Sequence, residues 1–388
     1  MKIGLVLPSV PGYSETFFRN KIKGLIASGF EVILFVIDDR NKENMPCKII
    51  PFPNYYIHNK RAVFLNSFFN IISNLKTAIR LYNLGKKEGL SAIKSLRMVF
   101  LNSHFLSQKL DWLHFGFGTL ALGRENVAEA IGTKMAVSFR GFDIGIYPIK
   151  HKNCYSLLWK KIDKIHVISD DIKELVVKNG FTNLQKIIKI CPAINVNFFK
   201  NTVVTEKKEV LQIATIGRLH WKKGLSTTLE ALTIVKQKGI CFRYTIIGGG
   251  PEKEKLQFAV HQLGLENEVF FAGKRNPEEV KNELQKANLY IQYSHQEGFC
   301  NAVLEAQSMG KICIVSDAEG LSENVINNVT GFVVPKRNPL SLANKIIAVN
   351  ELSDKERDVI SRAAINRVNN EFNIEDHVAK FIKFYEEN

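Results

Sequence analysis

Apolar residues in this chain cluster in short unbroken runs separated by helical spacings. KIGLVL (2–7) and EVILFVI (31–37) show no alternation and read as strands buried on both faces. Between them lies the loop PSVPGYSET (8–16). Phe18, Ile22, Leu25 and Ile26 follow at helical spacing, which predicts a helix from about residue 15 to residue 28, stopped by Gly29. Strand, loop, helix and all-apolar strand open a parallel α/β sheet. KIDKIHVISDDIKELVVKNG (161–180) continues it as a strand, Ser169 as N-cap, and a helix ended by Gly180. The polar stretch 195–207 has no strong periodicity and reads as a linker. EVLQIATI (209–216) then starts a second series. The pattern therefore predicts two parallel α/β units of similar size meeting at a cleft. The last stretch, 372–388, is amphipathic, with Val378, Phe381, Ile382 and Phe384 on one side.

The bulk numbers change this picture in one respect. A length of 388 residues allows two full cores, and 45% apolar with 23% charged residues is ordinary for a soluble globular protein. No apolar run reaches the roughly 18–20 residues of a membrane span. The opening run is too short for a signal-peptide core and breaks at Pro8. Six cysteines without a C-x-x-C pair suit reduced thiols in a cytoplasmic protein. Charge is the exception. Residues 1–200 hold 29 Lys and Arg against 14 Asp and Glu, whereas 201–388 hold 24 against 24. The whole excess of +15 sits on the N-terminal half, which suits nucleic acid, an anionic membrane surface or a polyanionic substrate. Nucleic acid ranks last, because the basic segments contain no recognised module. Within that half, residues 60–110 are apolar with interleaved aromatics and almost wholly basic charges. The segment reads equally as helices lying in a membrane interface or as core-facing helices with a basic outer face.

The candidate chemistry concentrates in the second half. In SHQEGFCNAVLEAQSMG (294–310), Glu297 and Glu305 stand eight apart, between a strand at 289–293 and another at 311–316. If a helix starts near Asn301, Glu297 sits before it and Glu305 about one turn inside. The free first-turn amides then face the same space as both carboxylates, an arrangement that binds phosphate. The loop GRLHWKKG (217–224) places Arg218 and Lys223 at the carboxyl end of a predicted parallel strand, where two cations can neutralise a leaving diphosphate without a metal. IIGGGPEKEKL (246–256) offers a glycine turn that lets backbone approach a ligand. The loop after strand one is not G-x-G-x-x-G, so a nicotinamide site has little support. There is no D-x-D loop and no His/Cys cluster with metal spacing, so no metal and no cofactor are expected.

These motifs together resemble retaining glycosyltransferase family 4 (glycosyl transferases group 1), whose members have the two-Rossmann GT-B fold with sheets facing a central cleft. The family's EGFG…LEAMA.G.PV stands here as EGFCNAVLEAQSMGKIC, with Cys300 for the second glycine and Ile312 for the proline. The resemblance spans nearly the whole chain, strongest in 209–335. It implies an N-terminal acceptor-binding domain (1–198), a nucleotide-sugar domain (199–371) and a C-terminal helix (372–388) crossing back to the first. Arg218, Lys223 and Glu297 would be catalytic. Gly249, Lys274, Arg275, Gly298, Phe299, Cys300, Asn301, Ala302, Val303 and Glu305 would bind the donor, as would Gly12 of a loop resembling the PxxSETF loop of capsule- and colanic-acid-type members. On the acceptor side the resemblance places Ser14, Glu15, His114, Arg140 and Asp143. The family's DxxHxHFG stands here as DWLHFGFG, with Gly116 in place of the second His, and its HG.D as RGFD, with Arg140 for His. A lone histidine at a strand end is otherwise a packed residue.

The implied reaction is metal-independent, retaining transfer from a UDP- or GDP-linked sugar to a lipid-linked or oligosaccharide acceptor in bacterial surface polysaccharide biosynthesis. The implied location is cytoplasmic, peripheral on the inner face of the membrane. Two alternatives stay open: a sugar-nucleotide epimerase on the same fold, and a non-catalytic protein that docks at membranes through its basic half.

Overall fold

The computed structural model describes residues 1–12, 16–39, 45–53, 59–200 and 209–387. The chain forms two compact units, one of Met1–Ile190 with Val378–Asn388 and one of Cys191–His377.

In the first unit, seven parallel strands are β1 (Lys2–Ser9), β2 (Glu31–Asp38), β3 (Lys48–Pro51), β4 (Trp112–Phe115), β5 (Lys134–Phe139), β6 (Lys164–Val167) and β7 (Ile187–Lys189). They line up as β3-β2-β1-β4-β5-β6-β7. Helix α1 (Thr16–Ala27) connects β1 to β2, as its spacing predicts, and buries Phe18, Ile22 and Leu25 against Leu5, Leu34 and Trp112. The same core takes in Phe381, Phe384 and Tyr385 from the end of the chain. Hydrogen bonds fix that end: Trp112 Nε1 donates to the Tyr385 carbonyl at 3.0 Å, and Lys164 Nζ to that of Phe384 at 2.7 Å. Three helices, α2 (Lys60–Ser73), α3 (Leu75–Lys87) and α4 (Ala92–Leu101), come between β3 and β4.

The second unit has six parallel strands: β8 (Leu211–Ile216), β9 (Phe242–Ile247), β10 (Val269–Gly273), β11 (Leu289–Gln292), β12 (Ile312–Ser316) and β13 (Phe332–Val334). Their order is β10-β9-β8-β11-β12-β13. Helices Leu225–Gln237 and Pro339–Glu351 bury Leu229, Leu232, Leu342 and Ile346 against Ile213, Ile291 and Ile314 of the sheet. Continuous apolar strands are required here because crossover helices cover the sheet.

The units divide at Ile190/Cys191 and His377/Val378, whereas the sequence suggests divisions at 198/199 and 371/372. The backbone explains the difference. Ile190 N still bonds Val167 O at 3.0 Å, closing the first sheet, and Ile194 N already bonds Phe372 O at 3.0 Å in the second unit. Part of the predicted linker, 201–207, lies outside the described residues.

Candidate active site

The second sheet reverses its strand order between β8 and β11, and ligands of open parallel sheets bind at such a reversal, beyond the carboxyl ends of the strands. The loops leaving these two strands run together: His295 N donates to Lys222 O at 2.6 Å. The glycine turn after β9 packs against the same place. Gly248 has φ +142°, and a Cβ there would collide with Gly217 O, so backbone approaches backbone only with glycine.

Lys223 and Glu297 form an ion pair across these loops, with side chains 19% and 17% exposed. Burial alone would lower the pKa of the Lys223 ammonium. Glu297 beside it outweighs burial and raises it, so the cation stays charged. Arg218, exposed on the same loop, lies near enough to oppose the charges on Lys222 and Lys223. Ser294 Oγ donates to Glu297 Oε2 at 3.3 Å and is itself held by Gln292 Nε2 at 2.9 Å.

The helix predicted near Asn301 runs Asn301–Ser308, and no side-chain hydrogen bond caps its N-terminus. Asn324 fixes the residue before it, accepting from Cys300 N and donating to Cys300 O, both at 3.0 Å. Burial pushes the Cys300 thiol up to about 11, so it is a neutral packed group. Phe299 turns its ring onto Phe372, centroids 5.7 Å apart, leaving its backbone at the turn. Half-buried Glu305 has no side-chain hydrogen bond among the described residues, and burial pushes its carboxyl up to about 7. An open helix N-terminus thus lies within one turn of a carboxyl group that the protein itself does not satisfy. One strand over, Lys274 Cγ would lie 3.2 Å from a Cβ on Gly249, so these two are neighbours beyond β9 and β10. Exposed Arg275 pairs with Glu279 at 3.1 Å.

The residues expected on the acceptor side fall in the first unit, and most of them are structural. Gly12 is half-buried with open space where a side chain would go. Ser14 and Glu15 lie outside the described residues. His114 is fully buried, so it is not positioned to meet a substrate from solvent. Its hydrogen bonds make a chain: Tyr385 OH at 2.5 Å from Nδ1, Nε2 at 2.8 Å from Ser138 Oγ, Ser138 Oγ at 2.7 Å from His166 Nδ1, and His166 Nε2 at 2.9 Å from Ile190 O. With both rings neutral, the carbonyl at one end assigns every proton. His166 Nε2 donates to it, Ser138 donates to His166, His114 Nε2 donates to Ser138, and Tyr385 donates to His114. Burial, then neighbouring Lys21, depresses the His114 pKa and keeps the ring neutral. A side chain at 116 would meet Leu7 Cδ2, 2.3 Å from its Cβ, so a second histidine there would require Leu7 to move. Asp143, 2% exposed, accepts from the amides of Gly118, Arg140 and Gly141 at 2.9–3.0 Å and so pins its own loop. The Arg140 guanidinium stacks on Phe17 and Phe18, 4.1 and 4.5 Å from the ring centres. Asp143 is thus closed off from solvent, whereas Arg140 stays half-buried.

Residues 196–367 match the family model of glycosyl transferases group 1. The match takes in most of the second unit, Cys191–His377. The chain is 26% identical to an amylovoran biosynthesis glycosyltransferase of Erwinia amylovora, covering 98% of this chain and 97% of the relative. It is 25% identical to the UDP-Gal:alpha-D-GlcNAc-diphosphoundecaprenol alpha-1,3-galactosyltransferase of Escherichia coli, covering 88% of each. Among solved structures, a glycosyltransferase from Rickettsia africae shares the fold with a TM-score of 0.74 at 20% identity, over 100% of this chain and 98% of that one. The two-Rossmann GT-B class expected from the sequence is therefore the fold of this chain.

The second unit also contains a residue that no motif singles out. Glu319 takes the amide of Glu297 on Oε2 at 2.9 Å while Lys336 approaches Oε1 at 3.5 Å. It does so from a left-handed backbone, φ +34°, which a non-glycine residue rarely adopts. Its separation of 22 residues from Glu297 carries no periodic signal; only the adjacency of β11 and β12 brings them together.

Proposed function

We propose that the protein is a retaining, metal-independent glycosyltransferase that moves a sugar from a UDP- or GDP-linked donor to a lipid-linked glycan. Its place would be bacterial surface polysaccharide biosynthesis, at the inner face of the membrane. The observation that carries this is the grouping beyond β8 and β11: the Lys223–Glu297 pair, the open N-terminus of Asn301–Ser308, and unsatisfied Glu305. The relatives add support, since one is named for a UDP-sugar donor and a diphosphoundecaprenol-linked acceptor.

In this reading Glu305, as a carboxylate, accepts hydrogen bonds from ribose hydroxyls, which replace the solvation it lacks. Arg218 and Lys223 meet the diphosphate, and their charge stabilises the negative charge that builds as the sugar leaves. Glu297 is handed over from Lys223 to hydroxyls of the donor sugar, and amides from Phe299 to Val303 face sugar and phosphate. The acceptor oxygen attacks the anomeric carbon on the face the diphosphate departs from. The bond from that carbon to the phosphate oxygen breaks, and this oxygen takes the acceptor's proton. No histidine base is needed, which fits a buried His114. Two cations supply the charge a metal would otherwise provide.

The test is thermal shift with UDP, GDP, ADP and CMP and their sugars in chelator. Ligand at about a hundred times its dissociation constant stabilises by roughly 2.7 kcal/mol. A shift with UDP or GDP that survives chelator is expected; no shift with any nucleotide would refute the donor site. Retention is tested by the anomeric configuration of the product.

A further inference from the structure

We infer that the outward face of α2–α4 docks on an anionic phospholipid bilayer. Ten of the 22 exposed large hydrophobic residues among the described residues fall between Lys60 and Leu101. On α2 only Val63 and Ser67 are buried, whereas Phe64, Leu65, Phe68, Phe69 and Ile72 are exposed, Phe69 at 62%. At about 100° per residue these five occupy an arc of about 140°, roughly opposite the buried pair. The wide apolar face of the helix therefore faces away from its own unit. Leu75 and Ile79 continue it on α3, and Ile93, 79% exposed, and Leu96 lie on α4. The three helices pack on one another, so the residues belong to one structural element. Of the two readings of 60–110 left open by the sequence, core-facing helices with a merely basic outer face does not describe α2.

Charge decides what covers this face. Residues 60–101 hold eight Lys and Arg and a single acidic residue, Glu88. On α3 a shallow groove with Ile79 and Leu84 as its apolar part is bordered by Lys76, Arg80 and Lys87. Apolar side chains amid cations match a bilayer interface, where the former enter the acyl boundary and the latter meet headgroup phosphates. A second copy of the chain would set eight cations against eight, so charge opposes self-association through the same face. Patches of this extent are uncommon on soluble monomers without a binding role. The inference deepens the proposed lipid-linked acceptor and rests on that reading for its purpose: docking would hold the protein at the membrane where the acceptor's lipid end is embedded. The surface itself is argued from the helices alone.

The test is flotation of the full chain with phosphatidylcholine vesicles and with vesicles containing about a third phosphatidylglycerol. Binding at least tenfold tighter to the anionic vesicles, weakened by salt, is expected. The double substitution Phe69→Asp with Ile72→Asp should reduce it at least tenfold. Lys76→Glu with Arg80→Glu should remove the preference for anionic lipid. All four side chains are exposed, so unchanged melting temperatures and unchanged nucleotide shifts should accompany both variants. No flotation of the wild type, or variants that float like it, would overturn the inference. So would a dimer in sedimentation that Phe69→Asp dissociates, since the face would then be a protein interface. A nucleotide shift without flotation would refute docking and leave the transferase reading standing; flotation without any nucleotide shift would do the reverse.

Discussion

Replacing Glu305 with glutamine should stabilise the second unit by about 2.5 kcal/mol more at pH 8 than at pH 5. The carboxyl is held in a half-buried position without a hydrogen-bond donor among the described residues, and burial raises it from 4.5 to about 7. Between those values the folded protein keeps a proton that the unfolded chain has released. The stabilising effect of this proton is full below about 4.5 and is lost as pH rises through 7. A gap of about 2.5 pH units at 1.36 kcal/mol each amounts to about 3.4 kcal/mol of ionisation cost well above pH 7, of which about 0.8 is already present at pH 5 and about 2.5 is added between pH 5 and pH 8. Glutamine has nearly the same shape and never ionises. Its amide brings unpaired polar atoms of its own, but these act equally at both pH values, so the difference between them isolates the charge. In a unit of this size 1 kcal/mol moves Tm by about 2–4 °C. The variant-minus-wild-type Tm should therefore be about 5–10 °C greater at pH 8 than at pH 5. Calorimetry on the ligand-free protein would measure it, with the second unit's transition identified by its response to nucleotide. Equal differences at the two pH values, or a larger one at pH 5, would refute the reasoning and mean that Glu305 is solvated or paired. The same substitution should weaken nucleotide binding, because an unsatisfied carboxylate is unfavourable alone and useful when hydroxyls arrive.

Lys223→Met and Glu297→Gln should each abolish measurable turnover and each destabilise the protein by about 1–3 kcal/mol, with the double variant less destabilised than the sum; additive losses by denaturant titration would show that the pair is not coupled. His114→Phe should cost about 2–4 kcal/mol, because Tyr385 OH and Ser138 Oγ lose their partner. Since the depressed His114 must take up a proton on unfolding below about pH 6.5, wild-type stability from this group is lost as pH falls through that value. The difference between wild type and variant should accordingly shrink from pH 7.5 to pH 5.5 in urea unfolding. Glu319→Ala should lower kcat more than tenfold with little change in nucleotide affinity, because it positions Glu297 through its amide, and an equal loss in both would refute a positioning role. Gly248→Ala should destabilise by more than about 1 kcal/mol and weaken nucleotide binding, since both the backbone angle and the space exclude a methyl group; an unchanged Tm would count against it.

The sequence by itself determined the elements that carry the candidate chemistry. Unbroken apolar runs made β1, β2 and β8 parallel strands, and the spacing of Phe18, Ile22 and Leu25 made α1 a helix, because buried strands and one-sided helices leave different periods in the chain. Glu297 and Glu305 were legible for the same reason: a strand, a turn and a helix start fix their separation locally. What pairs with what was decided by tertiary structure. Lys223 meets Glu297, 74 residues away, only because β8 and β11 are neighbours in the sheet. His114 and Asp143 carry site-like motifs yet are buried in packing, since a hydrogen-bonded histidine and a substrate-facing one have the same local sequence. The direction of α2 is the clearest case. A helix with apolar residues on most of its surface does not state which side its own core will take, and here Val63 and Ser67 took it, leaving the phenylalanines outside.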